Sequence, residues 1–135
     1  MTAKANHELV ERLLAAFSHG GLEALAGFYS PDYVNRTPFP GAPTTLDGHA
    51  AFEEWARPHL EFVAMEPVEI VAGDNNATVL SRTRFRSRKT GEEFEAFGFA
   101  VLRIEDGLIV ENWGGYDPVS VLRMQKAGVE LPSAA

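Results

Sequence analysis

Apolar residues recur at helical spacing near the start of the chain. Leu9, Val10, Leu13, Leu14 and Phe17 fall on one face of residues 6–18, which predicts an amphipathic helix. Asn6 is a fitting cap for it, Glu8 and Glu11 suit the positive end of its dipole, and Gly20 and Gly21 stop it. A second short helix over residues 22–29 presents Leu22, Leu25 and Phe28. Residues 32–46 carry Pro38, Pro40, Gly41 and Pro43 and read as a loop, entered by a short strand at residues 33–35. Residues 47–62 read as a third helix, capped by Asp47 and kinked or broken by Pro58. From there the pattern changes to alternation. Residues 66–72, 77–88, 93–104 and 108–116 read as strands, separated by turn residues at 73–76, 89–92 and 106–107, with a short helix after Pro118. Helices followed by a meander give an α+β fold, with the helices packed on one face of a curved antiparallel sheet.

The long hairpin has two unlike faces. With Thr90 and Gly91 at its tip, Arg88 opposes Glu93, Arg86 opposes Glu95, Arg84 opposes Phe97 and Arg82 opposes Phe99. The other face carries Val79, Ser81, Thr83, Phe85, Phe94, Ala96, Gly98, Ala100 and Leu102, and is the one to face the helices. The small row Ala96, Gly98, Ala100 leaves room for an apolar cavity bounded also by Phe17, Trp55 and Phe85, unless Gly98 merely relieves curvature and the helices fill the space. On the outer face, Phe97 and Phe99 among arginines suit a homodimer interface; cross-strand Arg–Glu pairing on a solvated face is the plainer reading.

The chain has 135 residues and a formal net charge of −7, one domain in size, residues 1–135. Nine Phe, three Tyr and two Trp supply a core and argue against disorder. The acidic balance argues against nucleic acid as a partner, which needs a basic face. With no cysteine, disulfides, thiolate nucleophiles and cysteine-based metal sites are excluded. No apolar run approaches the ~20 residues of a membrane helix, and the N-terminus shows no secretory pattern, so a cytoplasmic protein is expected.

Residues 106–129, "DGLIVENWGGYDPVSVLRMQKAGV", resemble the SnoaL-like polyketide cyclase pattern: a DG turn, a strand ending in Trp, an Asp soon after, then a short helix. "FYSPDYVNRTP" followed by "LDGHAAFEEW" resembles its upstream half, so the resemblance spans residues 7–129. It implies the nuclear transport factor-like α+β fold, a cone-shaped curved antiparallel sheet covered by three helices around a central pocket, and frequent dimers. The cyclases' acid–base positions, an acidic residue directly after the strand Trp and a pocket His on the preceding strand, correspond to Gly114 and Ala100. Neither moves a proton. Tyr33 and Asn35 are similar to the water-holding Tyr-x-Asn of limonene epoxide hydrolases, whose Asp–Arg–Asp set would fall at Ser81, Thr83 and Gly114 and is missing. Ketosteroid isomerases expect a base where Asn35 and Arg36 stand.

Three residues remain as candidates for chemistry. Asp117, beside Trp113 and Tyr116, is either a general acid or base with a pKa raised by desolvation or the cap of the helix that begins at Pro118. Asn35 and Tyr33 offer neutral hydrogen bonds, or else serve the loop and core. Candidate ligand-contacting residues are Phe17, Trp55, His59, Phe85, Gly98, Ala100, Asn112 and Tyr116. His59 is the histidine of interest because it stands near Trp55 and Phe62; His7 and His19 read as solvated, His49 as structural, and the set is too scattered for a metal site. Glycine-rich phosphate motifs and a serine nucleophile elbow are absent, so no cofactor is expected. Two functions compete. One is a cofactor-free cyclase, isomerase, dehydratase or hydrolase for a small apolar polyketide-, terpenoid- or steroid-like molecule. The other is a non-catalytic binding or dimerisation module that lacks the family's acid–base residues.

Overall fold

The computed structural model describes residues 2–130. Helix α1 runs Ala3–Leu25, followed by a 3₁₀ turn, Ala26–Phe28, and strand β1, Tyr29–Asn35. After the proline-rich loop come α2, Asp47–Ala56, the four strands β2, Leu60–Ala72, β3, Asn76–Ser87, β4, Glu93–Glu105, and β5, Leu108–Tyr116, and finally α3, Pro118–Lys126. The strands form one curled, unclosed sheet in the order β1-β5-β4-β3-β2. The α+β class and the curved sheet under helices agree with the sequence reading. The sheet is mixed rather than purely antiparallel, because β1 lies parallel to β5.

Helix α1 passes through Gly20 and Gly21 instead of stopping there. Each glycine costs roughly 1 kcal/mol in a helix. Leu25, 2% exposed in the same cluster as Leu9, Val10 and Leu13, holds the far end down and outweighs that cost. The cap is Thr2, whose hydroxyl accepts from Ala5 N at 3.1 Å. Asn6 is instead fully buried, its amide donating to the carbonyls of Gly73 and Asp74, 2.9 Å each. It ties α1 to the β2–β3 turn. Asp47 lies in the first turn of α2, not at the cap. That helix ends by Ala56, and β2 starts at Leu60, only two residues past Pro58. Register breaks in β2 at Phe62/Ala64 and Pro67/Glu69 disturb its alternation, which hid the first half of the strand.

The β3–β4 hairpin is offset by two residues from the expected register. Arg86 faces Glu93, Arg84 faces Glu95, Arg82 faces Phe97 and Leu80 faces Phe99. The loop is longer than a two-residue turn: Ser87 N bonds Glu92 O at 2.9 Å, Gly91 N bonds Ser87 O at 2.8 Å, and Thr90 N donates to the Ser87 hydroxyl. Gly91 takes a positive φ of 74° there. A shift of two leaves every side chain on its own face, so the expected inner and outer faces are both retained.

Candidate functional site

The buried apolar side chains form two separate clusters on the inner face of the sheet. One joins Leu9, Val10, Leu13 and Leu25 of α1 to Tyr33, Val79, Leu102, Ile104 and Ile109. The other joins Leu60, Phe85, Phe94 and Ala96 to Met124, Ala127 and Val129 at the α3 end. Between them on β3, β4 and β5 lies a band of small or polar inward positions: Ser81 and Thr83, Gly98 and Ala100, Asn112 and Gly114. A band that offers little side-chain volume between two packed cores is where a concave sheet can admit a ligand.

Aromatic rings flank this band. Phe17 of α1 meets Phe62 edge-on at 6.2 Å, Phe62 meets Phe85 at 6.4 Å, and Phe85 meets Tyr116 at 6.3 Å. Phe17 and Phe62 stay 41% and 40% exposed although both belong to this ring chain. On the α2 side, Phe39 from the loop packs on Phe52 and Trp55 at 5.3 and 5.2 Å. Trp55 and Tyr116 both lean on the second cluster.

The polar groups gather at the β1–β5 edge. The Tyr33 hydroxyl and His49 Nε2 are 3.0 Å apart, and both rings contact Tyr29, at 4.6 and 5.6 Å. Burial holds His49 below its ordinary value, so it is neutral at pH 7. Burial, with a smaller push from Tyr29, raises Tyr33, against which the Asn112 amide acts. Asn112 Nδ2 donates to Asn35 Oδ1 at 3.1 Å, and Thr37 N donates to the same oxygen at 3.1 Å. Among the described residues Asn112 Oδ1 is buried with no partner, an arrangement that costs free energy unless something else supplies a donor. Arg36 turns outward to Glu111, 3.0 Å away, rather than toward the interior.

The sequence-predicted residues divide among these places. Tyr33 pairs with His49, and Asn35 pairs with Asn112, both at the β1–β5 edge. Phe85, Gly98, Ala100 and Tyr116 lie on the inner face, and Phe17 and Trp55 stand among the flanking rings. His59 lies exposed beyond the end of α2, its ring tilted against Trp55 at 5.2 Å. Gly98 is roofed by Tyr116, whose Cε1 would be 3.5 Å from a Cβ at that glycine. Trp113 points to the outer face, 51% exposed, so it does not desolvate Asp117. Asp117 caps α3: one carboxylate oxygen accepts from Ser120 N and the other from the Ser120 hydroxyl, both at 2.9 Å. Those bonds hold its carboxyl below the usual range, which corrects the expected rise. Sequence reasoning took His49 as structural and did not join it to Tyr33. His49 lies 16 positions from Tyr33 on a different element, and no local spacing joins them. Among the described residues no group of three His, Asp or Glu is placed to hold a metal ion.

On the outer face the arginines of β3 are paired: Arg82 with Glu66, Arg84 with Glu95 at 2.9 Å, and Arg86 with Glu61 and Glu93 at 3.0 Å each. Beyond them the face turns apolar. Leu80, Phe99, Val101 and Trp113 lie in adjoining registers and are all exposed, Phe99 to 49%.

Residues 10–112 match the family described as a SnoaL-like domain. No curated protein matches the chain by sequence. Among solved structures, TsrD from Streptomyces laurentii superposes with a TM-score of 0.76 at 21% identity, covering 94% of this chain and 98% of its own. An NTF2-like protein of unknown function from Burkholderia pseudomallei gives 0.73 at 21% identity, covering 89% and 96%. A protein with a ketosteroid isomerase-like fold from Catenulispora acidiphila gives 0.69 at 18% identity, covering 91% and 94%. At these identities the likeness is one of fold.

Proposed function

The chain belongs to the SnoaL-like domain family, and from that premise we propose that it takes a small, largely apolar molecule onto the band between its two cores. The substrate class of this proposal is polyketide-, terpenoid- or steroid-like. The reaction class is a cofactor-free ring closure, isomerisation, dehydration or hydrolysis. The observation that carries it is the band itself, floored by Ser81, Thr83, Gly98 and Ala100 and bordered by the Tyr33–His49 and Asn35–Asn112 pairs. In this reading Tyr33, Asn35 and Asn112 polarise a substrate oxygen. Asp117 enters as the cap of α3, with Asp117→Asn as the test of any proton-transfer role.

A second reading, a binding module without turnover, is supported by a specific feature. Neither Ala100 nor Gly114 ionises, and a side chain at 114 would run into the backbone of β4. Both readings share the pocket, so the pocket is tested first. The neutral fluorophore N-phenyl-1-naphthylamine is expected to brighten with the wild-type chain. Ala100→Phe, placed opposite the side-chain-free Gly114, is expected to weaken that binding about tenfold or more by filling the band. Unchanged binding by a folded Ala100→Phe chain would remove the proposal.

The proposal includes a homodimer packed through the outer sheet face. The exposed patch of Leu80, Phe99, Val101 and Trp113 supports it, since contiguous apolar surface of this kind is characteristic of interfaces. The Arg–Glu pairing beside it supports the absence of nucleic-acid binding. Among the described residues no helix is long and apolar enough to cross a membrane; a cytoplasmic location remains part of the proposal.

A further inference from the structure

We propose that the Tyr116 hydroxyl is the recognition group of this pocket, and that it donates to an uncharged oxygen acceptor, a ketone, ester or lactone carbonyl, on an apolar ring ligand. The inference rests on the pocket reading and names its ligand more closely. Tyr116 is paired with Gly98 across β4 and β5, on the inner face. Because Gly98 has no side chain, the ring lies over it, with Cε1 in van der Waals reach of the missing Cβ, and turns edge-on to Phe85. Those two contacts fix the ring and therefore the position of its hydroxyl oxygen.

Among the described residues that hydroxyl has no hydrogen-bond partner, and burial alone pushes its pKa up to about 12. The hydroxyl is protonated, and a phenol in apolar surroundings ordinarily finds an acceptor. The other inward tyrosines differ. Tyr33 is joined to His49, and Tyr29 is packed against that same pair at the opposite end of the band. The acceptor must be uncharged because no lysine or arginine among the described residues stands on the inner face to balance it. The β3 arginines point outward to glutamates, and Arg36 is held by Glu111. A carboxylate brought here would be desolvated without a counter-charge.

The test uses the full chain and three probes of one shape: 2-acetylnaphthalene, 2-ethylnaphthalene and 2-naphthoate. Wild type is expected to bind the ketone about tenfold tighter than the hydrocarbon, the worth of one neutral hydrogen bond in an apolar site, and the carboxylate most weakly. Tyr116→Phe keeps the ring over Gly98 and is expected to bind the hydrocarbon as before while losing the preference for the ketone. The infrared carbonyl stretch of bound 2-acetylnaphthalene should lie lower in wild type than in Tyr116→Phe. An equal loss for both probes would mean that the ring only packs, and an unchanged preference and stretch would mean that the donor lies elsewhere. Either result overturns the assignment. If none of the probes binds wild type, the pocket reading falls and takes this one with it. If ketone and hydrocarbon bind equally well, only this inference falls.

Discussion

Gly114 stands where the family's proton-transferring acid is expected, and the structure says what restoring a side chain there would cost. A Cβ at that position would lie 2.5 Å from the carbonyl oxygen of Phe99 and 3.2 Å from the Cα of Ala100. Both are backbone atoms of β4, the strand to which Gly114 is paired, so no rotamer change relieves them. Carbon–oxygen contacts settle near 3.3 Å or more, and the shortfall of about 0.8 Å has to be taken up by parting the two strands. Overpacking of this kind costs about 1–3 kcal/mol. Gly114→Ala recovers about 0.4–1 kcal/mol through a less free unfolded chain. The net loss of about 1–2 kcal/mol corresponds to a thermal midpoint lower by roughly 3–8 °C at this chain length. Gly114→Asp should lose at least as much and gain no proton-transfer activity, because the carboxylate arrives on a displaced strand. Gly98→Ala is the control. Its Cβ would meet the Ser81 hydroxyl at 3.2 Å, a group that can rotate away, so its midpoint should move by about 2 °C or less. Differential scanning calorimetry of the three variants decides. If Gly114→Ala melts with wild type, or Gly98→Ala proves the worse of the two, the account of β5 is wrong.

Three further outcomes are expected. Asp117→Ala should lower the thermal midpoint and loosen α3, measured by amide exchange at Ser120, while Asp117→Asn retains most of the cap because its amide oxygen still accepts. The carboxyl is held low in the fold, so its stabilisation is full above the ordinary carboxylate pKa and fades as pH falls through the lower folded value. His49 is held low by burial, so the unfolded chain binds its proton first; stability should be complete above about pH 6.5 and fall below it, and His49→Phe should flatten that slope in melts between pH 5 and 7.5. Phe99→Asp should yield monomer by light scattering at micromolar concentration if the outer face is the dimer interface, and a wild-type chain that is already monomeric would defeat that part of the proposal.

Sequence pattern carried the class of the fold and the sidedness of its sheet because both follow from period alone. In β3 and β4, alternation at a period of two separates Val79, Thr83 and Phe85 from Arg82, Arg84 and Arg86 whatever the register. Register itself depends on the loop, where the Ser87 hydroxyl and a left-handed Gly91 close a wider turn than composition suggested. Helix α1 outlasted its glycines because Leu25 is anchored by tertiary contacts. The parallel pairing of β1 with β5 joins Tyr29 to Ile109 and Asn35 to Asn112, contacts across nearly 80 residues that leave no local trace. The candidate site divides in the same way. Small inward residues on β4 were visible as a row, and Asp117 followed by Pro118 was legible as a cap. The Tyr33–His49 contact required the packed sheet, whereas the outward turn of Trp113 follows from its alternation with Asn112 and Gly114.

The groups gathered around the band also limit how any turnover responds to pH. Burial raises Tyr33 and pushes Tyr116 up to about 12, while His49 and Asp117 are held below their ordinary values, the one by burial and the other by the bonds from Ser120. Asn35 and Asn112 do not titrate. None of these groups changes charge between pH 7 and about 10. A substrate turned over at this site should therefore show kcat/KM flat across that interval, unless the substrate itself ionises within it. A general base poised near neutrality would instead give a rising limb, and paired acid and base a bell. Neutral donors stabilise an oxyanion but accept no proton, so the substrate must bring its own acidity or a strained ring. The measurement is kcat/KM at constant ionic strength across that range for wild type and Tyr33→Phe. A flat profile lowered by Tyr33→Phe fits neutral donation, whereas a limb near pH 7–8 that vanishes in Asp117→Asn or His49→Phe would assign the proton transfer to that residue and refute neutral donation.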